Sequence, residues 1–150
     1  MSKTGCPPKR LLNRCGANVT AIARPLKDVL SKGKELTGRT VTVRSTLRRE
    51  GGVCTALYCS PGTCCNGCGA FFVLTTARKP DRIHTHTLTL MNTGKGPHPH
   101  DKLACSGDDS GMCCPFETGQ EVVVTGKLVK SGSSIYGPMY ALHNPRICLP

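Results

Sequence analysis

Cysteine placement constrains this chain more than any other feature. There are 11 cysteines, and they are grouped rather than scattered. Five fall in CTALYCSPGTCCNGC, at Cys54, Cys59, Cys64, Cys65 and Cys68. Three fall in CSGDDSGMCC, at Cys105, Cys113 and Cys114. Cys6, Cys15 and Cys148 flank the body of the chain. Loops so rich in thiols are held either by sulfur–sulfur bonds or by metal, and the two choices imply different compartments.

Disulfides are the leading expectation. Cys64-Cys65 and Cys113-Cys114 are adjacent pairs whose side chains diverge, so each member can reach a different partner. Bridges between the two blocks would fasten the loop after the first long strand to the loop before the fourth. Cys148 would tie to Cys6, Cys15 or Cys54. The odd count leaves one thiol unpaired or bonded between chains. Zinc is the competing reading. Cys65-x-x-Cys68 has the spacing of a half-site, and Cys105 with Cys114 could supply the second pair. His84, His86, His98 and His100 are further ligand candidates. No cofactor is expected under the first reading, and zinc is under the second.

At 150 residues the chain can bury one core without depending on staples. No stretch has the roughly 18 apolar residues of a membrane span. The opening MSKTGCPPKRLLNRC has no apolar heart of a signal peptide, so either the protein is cytosolic or a leader is missing from this sequence. The net charge of +11 is uneven, since residues 1–50 hold 12 Lys/Arg against Asp28, Glu35 and Glu50. Lys9, Arg10 and Arg14 on the N-terminal segment, with Arg44, Arg48 and Arg49 further on, are candidates to bind an anionic partner.

Residues 1–35 read as a basic extension with one short helix, at Pro25 to Leu30. There the apolar residues Leu26, Val29 and Leu30 fall at helical spacing. From Gly38 the pattern changes to period two. Val41, Val43, Ser45 and Leu47 alternate with Thr42, Arg44, Thr46 and Arg48, as on a half-buried strand. Gly51-Gly52 then turns the chain. Further strands are expected over 70–76, 85–91, 121–130 and 140–143. Gly126 is a candidate bulge, and Asn144-Pro145 closes the last strand. Phe71 and Phe72 are adjacent, so at most one of them is exposed. The expected class is all-β, with residues 36–150 forming one small domain.

Two segments carry a resemblance. GKELTGRTVTVRSTL (33–47) and GQEVVVTGKLVKSG (119–132) share a Gly-x-x-Val-x-Val pattern followed by a leucine. They resemble the first and fourth strands of OB-fold domains, and Tyr140 to Pro145 resembles the last strand. The resemblance covers about residues 36–149 and implies a small five-stranded barrel. The cysteine blocks are similar to those of cysteine-rich bacterial envelope and lipoprotein-type proteins. That similarity implies a periplasmic, envelope or extracellular setting and carries over no catalytic or binding residue.

Nothing singles out a nucleophile and base among the cysteines and five histidines. Asp108-Asp109 reads as a turn cap, and Gly94-Lys95-Gly96 lacks phosphate-loop spacing. The expectation is therefore a non-enzymatic binding or structural module. It would be stapled by cysteine and would dock to a larger assembly or an anionic surface through its N-terminal extension. The alternative is a cytoplasmic, zinc-stabilised OB module for single-stranded nucleic acid.

Overall fold

A computed structural model of the chain describes residues 5–62, 66–76, 86–92, 103–108, 111–135 and 137–150, the side chain of Val53 excepted. Cys64, Cys65, His84, His98, His100, Asp109 and the Gly94-Lys95-Gly96 segment lie outside the described residues.

Among the described residues three short helices precede most of the strands, where one was expected: α1 (Ala17–Ile22), α2 (Leu26–Ser31) and α3 (Gly33–Leu36). A two-residue strand, β1 (Arg24–Pro25), lies between α1 and α2. Then come β2 (Thr40–Cys54), β3 (Gly67–Thr75), β4 (Thr87–Met91), β5 (Cys105–Asp108), β6 (Gly111–Cys113), β7 (Glu121–Ser134) and β8 (Gly137–Cys148). Among the described residues eight strands form one mixed sheet of order β1-β2-β7-β8-β4-β3-β5-β6, three more than the five expected of the barrel. The three extra strands are short. β1 runs parallel to β2, and β5 and β6 form a small hairpin on the edge of β3.

The long strands pair in a circuit. β2 pairs with β7 over Thr40–Thr46 and with β3 from Thr46 to Cys54. β3 pairs with β4, β4 runs parallel to β8, and β8 returns to β7. A 15-residue β2 can serve two neighbours only by passing from one to the other partway along its length.

Gly51-Gly52 does not turn the chain. Both residues have positive φ, 89° and 104°, and the β2–β3 register shifts between Gly51 and Val53. Glycine takes this conformation without a Cβ penalty, so a bulge absorbs the irregularity and the strand runs on to Cys54. The bulge at Gly126 is found as expected. Thr125 stands opposite Arg146 and Lys127 opposite His143, so Gly126 faces both Asn144 and Pro145. Asn144, at φ 50°, takes up the extra residue, and β8 continues past Pro145 instead of ending there.

One face of the circuit is lined at period two by Val41, Val43 and Leu47 of β2, Phe72 and Leu74 of β3, Val122, Val124 and Leu128 of β7, and Leu142 of β8. Phe72 meets Phe116 edge-to-face, with ring centroids 5.5 Å apart. The N-terminal residues complete this core. Leu26 and Val29 project from one face of α2 and are buried in the same cluster, with Leu36 of α3 beside them. Tyr140 packs so closely on the backbone of Gly33 that a Cβ there would fall onto its ring. Within the N-terminal residues it is Leu26 and Val29, with Leu12 and Leu30 partly buried beside them, that share the core of the sheet.

Candidate functional site: a disulfide frame and a basic sheet face

Four disulfides join described cysteines: Cys6–Cys113, Cys15–Cys148, Cys54–Cys68 and Cys105–Cys114. Cys59 is disulfide-bonded as well. Strand register explains two of the four. Cys54 and Cys68 stand directly opposite each other on β2 and β3, with Cα atoms 4.0 Å apart. Ser106 opposes Cys113 on the β5–β6 hairpin, which brings Cys105 and Cys114 together one step further on, at 4.2 Å. Cys113 and Cys114 bond different partners, as their adjacency suggests.

The expected bridges between the two cysteine blocks are not found among the described cysteines. The blocks do adjoin, but through backbone pairing: Cys68 lies opposite Gly107, and Ala70 opposite Cys105. Local register gives both Cys68 and Cys105 a nearer partner than each other. The long-range bridges instead carry the N-terminus, which Cys6 fastens to the second block and Cys15 to the C-terminal strand. The zinc set is corrected with them. Cys68, Cys105 and Cys114 are consumed in disulfides and offer no thiolate, and Cys65 lies outside the described residues. No group of three or more His, Cys, Asp or Glu poised for a metal occurs among the described residues.

The six cations singled out from sequence do not form one patch. Lys9 pairs with Glu117 at 3.1 Å, and Arg14 donates to the Pro150 carbonyl at 2.9 Å. The Arg10 guanidinium stands 6.0 Å from the centre of the Phe116 ring. Arg44 donates to Glu121 at 2.6 Å across β2 and β7. This hydrogen bond lowers the Glu121 pKa and raises that of Arg44, the charge attraction adding in the same sense and partial desolvation opposing it. Arg48 faces outward opposite Val73, and its Nε is buried without a hydrogen-bond acceptor among the described residues. Arg49 lies on the opposite side of β2 and donates to Cys114 Sγ at 3.8 Å.

The register assembles a different cationic surface on the outward face of β2, β7 and β8. Thr40, Lys127 and His143 lie side by side across these strands, and Met91 of β4 lies next to His143. One level along, the hydroxyls of Thr42 and Thr125 meet at 2.9 Å, and Thr125 stands opposite Arg146. Lys127 and Arg146 are exposed, and neither has an ion-pair partner among the described residues. The acid nearest in register, Glu121, is taken by Arg44. Arg146 escapes sequence reasoning because Asn144-Pro145 reads as the end of a strand, whereas the bulge carries the strand through. On β3 Phe71 is exposed and Phe72 buried, as their adjacency requires.

Comparison with protein-family models, with curated proteins and with solved structures finds no match.

Proposed function

We propose that this chain is a non-enzymatic binding module of an oxidising compartment: an OB-like barrel, clamped by disulfides, that holds an anionic partner on the outward face of β2, β7 and β8. The observation that carries the reading is the placement of Lys127, His143 and Arg146 on one sheet face whose neighbouring carboxylate, Glu121, is already paired. Unpaired cations on a rigid surface attract polyanions, and the attraction falls with salt.

The barrel reading is supported by the circuit of pairings, β2-β3-β4-β8-β7-β2, with the β4–β8 contact parallel. Directly opposed residues lead from Leu47 through Leu74, Leu88 and Tyr140 to Lys130 on β7. Carrying the β2–β7 register on from the Thr40–Lys127 pair brings Lys130 level with Thr37, about ten residues below Leu47 on the chain. A stagger is what allows a small sheet to close, and a five-stranded barrel of this kind is the OB architecture. The compartment is inferred from the disulfides, which do not persist in a reducing cytosol. A periplasmic, envelope or extracellular setting follows.

The nucleic-acid alternative has less support. Three of its four zinc ligands, Cys68, Cys105 and Cys114, are held in disulfides, and the described residues of β3 expose one aromatic, Phe71, where single-strand binding uses several stacking platforms.

The test is retention on an immobilised sulfated polysaccharide across a salt gradient. The paired variant Lys127→Glu/Arg146→Glu should elute at clearly lower salt than the parent. The variant Lys32→Glu/Lys34→Glu changes net charge equally on the helical side and should elute close to the parent. Equal shifts for both variants would reduce the surface to bulk charge and sink the proposal.

A further inference from the structure

The N-terminal segment builds a small pocket. Cys6 and Cys15 are both bridged, to Cys113 and Cys148, so residues 7–14 are strapped across the body of the protein at both ends. Backbone bonds fix the strap between those ends. Arg10 N–H donates to Pro115 O at 2.7 Å, Leu149 N–H to Asn13 O at 2.8 Å, and Cys15 N–H to Leu149 O at 2.7 Å. Beside the strap lies an open cleft of about 210 Å³, lined by Leu12, Leu103, Phe116, Pro145 and Ile147 together with the polar residues Arg10 and Asn13.

Two properties of this pocket define a ligand. The first is size. Sites for drug-sized molecules start at roughly 300 Å³. This one therefore takes a body of one ring or a short chain and no more. The second is charge. Arg10 forms no ion pair among the described residues, and the neighbouring carboxylate, Glu117, is held by Lys9. The Phe116 ring lies at the outer limit of cation–π distance, so the guanidinium keeps its donors for another group. Guanidinium binds carboxylate with two parallel hydrogen bonds.

We propose that this pocket binds a small carboxylic acid with an apolar body, such as a short-chain aliphatic or monoaromatic acid. The body enters among Leu12, Leu103, Phe116 and Ile147, and the carboxylate meets Arg10 at the rim. The site is separate from the basic sheet face, because Ile147 points to the core side, opposite Val124, whereas Arg146 points outward. The two disulfides then have a role beyond stability: they hold one wall of the site in place.

The experiment is a titration of isotopically labelled protein with phenylacetate and hexanoate, followed by amide chemical shifts. Saturable shifts are expected at Leu11–Asn13, Leu103, Phe116 and Ile147, with a Kd on the order of a millimolar or tighter, the range for ligands of this size. Arg10→Gln alters an exposed side chain and leaves the fold intact. It should weaken binding about tenfold or more, as should replacing phenylacetate by neutral phenylacetamide. Lys127→Glu should leave the affinity unchanged. Absence of saturation at these residues, or equal affinity in Arg10→Gln, would overturn the proposal.

Discussion

The Cys15–Cys148 bridge offers the sharpest test of how the N-terminal segment is held. Its ends are 133 residues apart, and loop-closure entropy for a loop of that length gives about 5 kcal/mol. That figure overstates its effect here, because the Cys6–Cys113 bridge already shortens the path. From Cys15 the chain runs nine residues back to Cys6, crosses to Cys113, and runs 35 residues on to Cys148. The loop that Cys15–Cys148 closes is therefore about 45 residues, worth about 4 kcal/mol. Cys54–Cys68, with a separation of 14, closes a local loop worth about 3 kcal/mol. The double replacement Cys15→Ala/Cys148→Ala should accordingly destabilise more than Cys54→Ala/Cys68→Ala. It also releases the backbone bonds between residues 13–15 and Leu149, which adds to its cost. Urea unfolding followed by circular dichroism measures both. The m-value should rise most in the Cys15/Cys148 variant, because its unfolded chain expands most. If the local bridge proves the more costly of the two to remove, the strap is not tied down as described.

Other outcomes follow from the packing. Leu26→Ala should cost about 2–5 kcal/mol, since its side chain is 1% exposed in the shared core; a loss below about 1 kcal/mol would mean that the helix is peripheral. Gly33→Val should destabilise by about 1–3 kcal/mol, because the new side chain must displace the Tyr140 ring, and Tyr140→Leu in the same chain should recover part of the loss. Glu121 has a folded pKa below its ordinary value near 4.5, so its pairing with Arg44 stabilises above that pH and the contribution is lost as pH falls through the folded value. The effect is small on so exposed a pair, and Arg44→Gln should flatten the pH dependence of stability below about pH 4.5 without altering it at neutrality. Peptide mapping without reductant should return the four linked pairs, and a peptide joining Cys68 to Cys105 would contradict the assigned register.

Much of the strand structure is legible in the sequence because period two reports burial directly. Val41, Val43 and Leu47 alternate with polar residues and enter the core. Leu26 and Val29 likewise mark one face of a helical turn. Gly126 announces its bulge, since a strand glycine signals a close backbone approach, and a Cβ there would lie 3.0 Å from the His143 carbonyl. Gly51-Gly52 misleads because the same residues serve turns and bulges, and local composition does not say whether a partner strand continues alongside.

The basic surface divides the same way. Sequence places surplus charge in the N-terminal third, but Lys9 and Arg44 meet carboxylates 108 and 77 positions away, at Glu117 and Glu121. Lys127 and Arg146, which share the outward sheet face, lie in the half with little surplus. Periodicity and composition are local properties, and they suffice to mark a cysteine-laden β structure with one short amphipathic helix. Which cysteines bond, which cations meet a carboxylate and where a cleft opens depend on residues far apart in sequence. A disulfide needs Cβ atoms within about 4.5 Å, an ion pair needs contact, and a cavity needs walls from distant segments. Those distances are fixed by strand register and by where the N-terminal strap lands.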